Sequence, residues 1–62
     1  MLKVKSGVRP ITGSPVYWVI DMTKPRPLGN GEVLFNPIAD KYGCLYFNSA
    51  KEAKEAIKRG DF

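Results

Sequence analysis

The sequence predicts an α+β fold, a small three- or four-stranded, mostly antiparallel sheet with one C-terminal helix packed on one face. Three observations predict it. Val16 to Met22 is an apolar run of strand length, Asn30-Gly31 offers a hairpin turn pair, and Ser49 to Gly60 carries the start and stop signals of a helix. A chain of 62 residues holds one domain, 1-62, with loops over about 6-15 and 23-31.

Each element follows from its residues. Leu2 and Val4 alternate with Lys3 and Lys5, the pattern of a short edge strand. Ser6 to Pro15, with Gly7, Pro10, Gly13 and Pro15, reads as a loop. In Val16 to Met22 one face carries Val16, Trp18, Ile20 and Met22, and the other Tyr17, Val19 and Asp21. Because Tyr17 and Val19 are also apolar, this strand is expected in the centre of the sheet, covered on both sides. Pro25 and Pro27 bar residues 23-31 from a central strand. Asn30-Gly31 suits a type I′ turn, which wants positive φ at both positions. Glu32 to Phe35 reads as a second strand stopped by Asn36-Pro37, and Cys44 to Phe47 as a third.

The helix, about 50-59, is the clearest local signal. Ser49-Ala50-Lys51-Glu52 matches a capping box, in which the Ser hydroxyl and the Glu carboxylate satisfy each other's backbone N–H groups. Gly60 supplies a left-handed stop. Ala50, Ala53, Ala56 and Ile57 share one face, small enough for the helix to lie close to the sheet. Glu55 and Arg59 are spaced for an ion pair.

Composition excludes several function classes. There is no His and one Cys, so imidazole catalysis, His-ligated metals, paired-cysteine zinc sites and intrachain disulfides are out. Ser6, Ser14, Ser49, Thr12, Thr23 and Cys44 have no neighbouring base signature, and Glu52 and Glu55 are explained by capping and ion pairing. The sequence predicts no enzyme, no cofactor and no metal. Val16 to Ile20 is too short to cross a bilayer, and the first residues lack the apolar core of a signal peptide. A cytoplasmic, reducing location is the expectation, and one unpaired Cys44 suits it.

The net charge is +4, and all of it lies early: residues 1–31 hold Lys3, Lys5, Arg9, Lys24 and Arg26 against Asp21 alone. Such a field favours acidic partners, nucleic acid or protein. Lys24-Pro25-Arg26-Pro27 reads as a stiff surface connector, with an Arg-bearing arm for a minor groove or acidic patch as the sharper alternative.

Residues 41-57, from Lys41-Tyr42-Gly43-Cys44-Leu45-Tyr46-Phe47 to Ala56-Ile57, resemble the third strand and second helix of the RNA-recognition motif. Gly43, Leu45, Phe47, Ala53, Ala56 and Ile57 fit that pattern. The resemblance implies base stacking on the strand, with Tyr42 in one stacking position and Cys44, which is not aromatic, in the other. One residue is missing between Lys41 and Tyr42, and no first helix precedes the strand. A helix that packs back on the strand before it produces the same likeness. The ending, strand then Phe47-x-Ser49 then Ala-rich helix, also resembles that of short phage-encoded accessory proteins.

Trp18 is expected in the core with Val16, Ile20 and Met22. Tyr17, Tyr42 and Tyr46 are the surface candidates. If Tyr17 and Tyr46 share the face opposite the helix with Val19 and Cys44, that face is an open apolar patch, because one helix covers one side of a sheet. The favoured expectation is a non-enzymatic binding module of phage accessory type. It would dock through Tyr17, Val19, Tyr42 and Tyr46 on an acidic host protein and modulate or inhibit it. The alternative is a nucleic-acid-binding domain using Lys3, Lys5, Arg9, Lys24 and Arg26. A homodimer through the uncovered face fits either reading.

Overall fold

The computed structural model describes residues 1–62 and has an α+β architecture. Its elements are β1 (Leu2–Val8), β2 (Pro15–Asp21), β3 (Arg26–Pro27), β4 (Val33–Leu34), β5 (Tyr46–Phe47) and α1 (Ala50–Lys58). The main sheet is antiparallel in the order β1-β2-β5, and β3 and β4 form a separate two-stranded ribbon.

The first strand runs further than its residues suggest. Ser6 and Gly7, expected in a loop, continue β1 opposite Tyr17 and Val16. The register lets them, because a Cβ at Gly7 would sit 2.9 Å from Cη2 of Trp18. Glycine here makes room for the indole rather than for a turn. The remaining loop is closed by Arg9 N–H donating to the Ser14 carbonyl (2.9 Å) and Gly13 N–H donating to the Arg9 carbonyl (2.8 Å).

Two strand expectations are corrected. Glu32 to Phe35 contributes only Val33–Leu34, which pairs with Arg26–Pro27 and not with the main sheet. The linking turn is not type I′: positive φ falls on Gly29 and Gly31, and Asn30 instead accepts the Glu32 N–H at 3.1 Å. Cys44 to Phe47 shrinks to Tyr46–Phe47. Beyond Trp18 the edge of β2 is already taken, since Ile38 N–H donates to the Val19 carbonyl at 2.9 Å. The Asp40 carboxylate accepts the Tyr42 and Cys44 N–H groups at 2.9 and 2.8 Å, which folds residues 40–44 into a turn.

The helix follows its sequence signals closely. The Ser49 hydroxyl accepts the Glu52 N–H at 3.2 Å. The Glu52 carboxylate reaches one residue further back than a capping box requires, to the Asn48 N–H at 3.2 Å. At the other end Gly60 N–H donates to Ile57 and Asp61 N–H to Ala56, the pair of bonds that defines a Schellman stop. Arg59 does not pair with Glu55. Its guanidinium makes two bonds to Asp61, at 3.1 and 3.2 Å. Asp61 is buried at 3% exposure, also meets Lys41 Nζ at 3.5 Å, and so ties the 40–44 turn to the helix end.

Antiparallel partners point to the same side of a sheet, so the register sorts the side chains into two faces. One holds Leu2, Val4, Tyr17, Val19 and Phe47, and the other Lys3, Lys5, Gly7, Val16, Trp18, Ile20 and Tyr46. The helix lies on the first face. Leu2 and Val4 are half-buried there while Lys3 and Lys5 are exposed, and Phe62, just past the helix, meets Phe47 at 6.4 Å between ring centroids. Ala53, Ala56 and Val19 are completely buried. The central position of β2 is as expected: the neighbours Val19 and Ile20, on opposite faces, are 0% and 1% exposed. Burial of such side chains is worth about 1.5–3 kcal/mol each. No helix is long and apolar enough to cross a membrane.

Candidate functional site: the sheet face away from the helix

Three strands contribute one cross-strand row to the open face. Lys5 on β1 sits opposite Trp18 on β2, and Trp18 sits opposite Tyr46 on β5. The indole and phenol rings meet edge to face, with centroids 6.4 Å apart and planes at 78°. The far edge of the indole lies over Gly7. Lys3 continues the cation column on β1, opposite Ile20.

Beside this row lies a groove of about 480 Å³. Val16, Trp18 and Tyr46 come from the sheet; Val8, Arg9 and Pro10 form one side, and Leu34, Phe35, Asn36 and Pro37 the other. The wall arises because the chain leaves β4, passes Asn36-Pro37 and is pinned to β2 by the Ile38–Val19 bond. Arg9 is the one charged lining residue, and Nη2 of its guanidinium donates to Asn48 Oδ1 at 3.4 Å.

The face is electropositive without compensation. Lys3, Lys5, Arg9, Lys24 and Arg26 form no ion pair; the pairs present are the N-terminus with Asp21, and Lys41 and Arg59 with Asp61. Asp21 is the only carboxylate on the three strands of the main sheet, and the register puts it on the helix side, opposite Leu2. It is held down to about 2 from an ordinary 3.8, chiefly by the Thr23 hydroxyl donating to it, then by the Thr23 N–H, with the N-terminal ammonium adding to the effect.

The residues expected to form a protein-docking patch do not share a surface. Tyr17 and Tyr46 belong to successive register pairs and therefore point to opposite faces. Tyr17 is half-buried on the helix side, and Val19 is at 0% exposure beneath the helix, where no partner reaches it. Tyr42 is 76% exposed but stands in the 40–44 turn, with Lys41 Nζ 5.2 Å from its ring centre. The stacking position that the RNA-recognition resemblance gives it thus lies outside the sheet. Tyr46 alone is on the open face, at 52% exposure.

The basic residues converge better. Lys3 and Lys5 lie on the open face and Arg9 lines the groove. Arg26 pairs with Leu34, a groove residue, and so shares its side of the β3–β4 ribbon, while Lys24 is exposed in the preceding link. Sequence reasoning missed Trp18, which is only half-buried and opens into the groove, and the segment Leu34 to Pro37. The odd-numbered series Lys3, Lys5, Gly7 was the available signal for a single polar face of β1. The Cys44 thiol donates to the Tyr46 carbonyl at 3.1 Å and takes no part in the groove.

The chain matches no family model, no curated protein and no solved structure.

Proposed function

We propose that this chain is a small, non-catalytic nucleic-acid-binding module whose recognition surface is the sheet face turned away from the helix. The carrying observation is the row Lys5–Trp18–Tyr46, set in a face that bears unpaired cations and no carboxylate. Aromatic rings accept base faces whatever the sequence, and cations along the same surface gather the phosphates and release their counterions. The tyrosines and valine that would have made a protein-docking patch are divided between two faces and a turn.

The mostly apolar lining of the groove favours a second reading, docking on an acidic partner protein, as a phage-type modulator of a host protein would do. Binding of a mixed-sequence oligonucleotide as a function of salt separates the two. The nucleic-acid reading expects a linear log–log fall in affinity, with about 0.7 to 0.9 in slope for each phosphate contact. The double change Lys3→Glu, Lys5→Glu is then expected to make the slope shallower by about 1.4 to 1.8. No binding at low salt removes this reading and leaves protein docking.

A further inference from the structure

We infer that the ligand of this face is a single strand, bound with one unpaired base lodged in the groove against Trp18 and Tyr46. The inference rests on the nucleic-acid reading of the same face. Its starting point is the pair of walls. The two rings do not stand on a flat sheet but in a recess, with Val8, Arg9 and Pro10 on one side and Leu34 to Pro37 on the other. A base inside a duplex has both faces covered by its neighbours and presents only its edges and backbone. It cannot reach an aromatic surface set between two walls. An unpaired base can turn out of its strand and enter.

Size and chemistry agree. The groove of about 480 Å³ is open to solvent and has room for one nucleotide unit rather than for a helix. The rings meet edge to face and are not stacked on one another, so they do not close into a self-satisfied pair. Beside the indole N–H and the phenol O–H, the polar groups at the recess are Arg9, a donor for phosphate, and Asn36, which offers both donor and acceptor to a base edge. Lys3 and Lys5 stand on one face of β1, roughly 7 Å apart along the strand, and Arg9 lines the groove, so cations border the recess where a backbone would pass. None of these groups is neutralised by a carboxylate.

Trp18 is the only tryptophan, so its fluorescence reports on the groove directly. The test titrates the full chain with an oligothymidylate of roughly 12 nucleotides and with a duplex of the same length, following both tryptophan emission and anisotropy of the labelled DNA. The expected result is quenching by the single strand and at least about tenfold weaker binding of the duplex at equal salt. Tyr46→Ala is expected to weaken single-strand binding by about 5- to 150-fold and to leave duplex binding unchanged. Asn36→Ala, at an exposed wall position, is expected to show the same selectivity, so the outcome does not depend on one variant's folding. Duplex binding as tight as single-strand binding, without quenching, overturns the inference and leaves the nucleic-acid reading standing. Single-strand binding indifferent to both variants also overturns it. Binding of neither DNA at low salt removes both.

Discussion

The two faces of the main sheet differ in what they bury and what they leave charged. On the helix side Leu2, Val4, Val19 and Phe47 meet two fully buried alanines and Phe62. On the other side the same strands carry the exposed Lys3 and Lys5, and Trp18 and Tyr46 line a groove. Strand alternation makes this possible, because neighbouring residues work in different environments. The difference teaches that adjacent positions can be tested apart: the helix face carries no lysine, while the other face adds exposed lysines to its own buried Val16 and Ile20.

Tyr46 and Phe47 give the sharpest contrast. Phe47→Ala is expected to cost about 3 kcal/mol, the low end for a phenylalanine because the ring is only half-buried. Against a total of roughly 3–9 kcal/mol for a chain of this size, thermal or urea unfolding will register it as the loss of about a third of the stability or more. Tyr46→Ala, one residue away, is expected to lose binding while its unfolding transition shifts by under about 1 kcal/mol. Equal destabilisation by the two changes breaks the comparison.

Smaller changes probe each face alone. Gly7→Val is expected to cost about 1–3 kcal/mol by forcing the indole of Trp18 off β1, and a shift in tryptophan emission reads it independently of the melt. Asp61→Asn removes the charge that holds Arg59 and Lys41, with about 1–2 kcal/mol of destabilisation by urea titration and no change in DNA affinity.

The smallest effect is one of pH. The Asp21 carboxyl is lowered in the folded chain, so its contribution is fully present above 3.8 and is lost as pH falls toward about 2. Thr23→Val takes away the hydroxyl that lowers it most and is expected to flatten the acid limb of the melting curve across that interval. Because Asp21 sits at the helix-side end of β2, the same variant should leave the nucleic-acid binding proposed for the other face unchanged. A binding defect in Thr23→Val would show the two faces to be coupled.

Legibility followed the range of the interactions. The helix was readable because its signals lie within a few residues: Ser49 caps Glu52, and Gly60 takes the left-handed stop at φ 77. The central strand was readable because Val19 and Ile20 are both apolar in a run of strand length. The strand at Arg26–Pro27 was not, since proline argued against it and only a ribbon edge tolerates it. The shortening of β5 was not, because Ile38 competes for the same edge of β2 from eight residues before Tyr46.

By itself, then, the sequence determined the α+β class, the capped helix with its small face, the central strand and the concentration of charge in residues 1–31. These rest on periodicity, capping and composition, which are properties of neighbouring residues. Only the tertiary structure decided which tyrosine shares a surface with the lysines. Side chains alternate with a period of two, so a one-residue change of register exchanges the faces, and the register pairs distant segments. Pairing Trp18 with Lys5 and with Tyr46 placed one tyrosine beside the cations. Pairing Tyr17 with Phe47 placed the other under the helix.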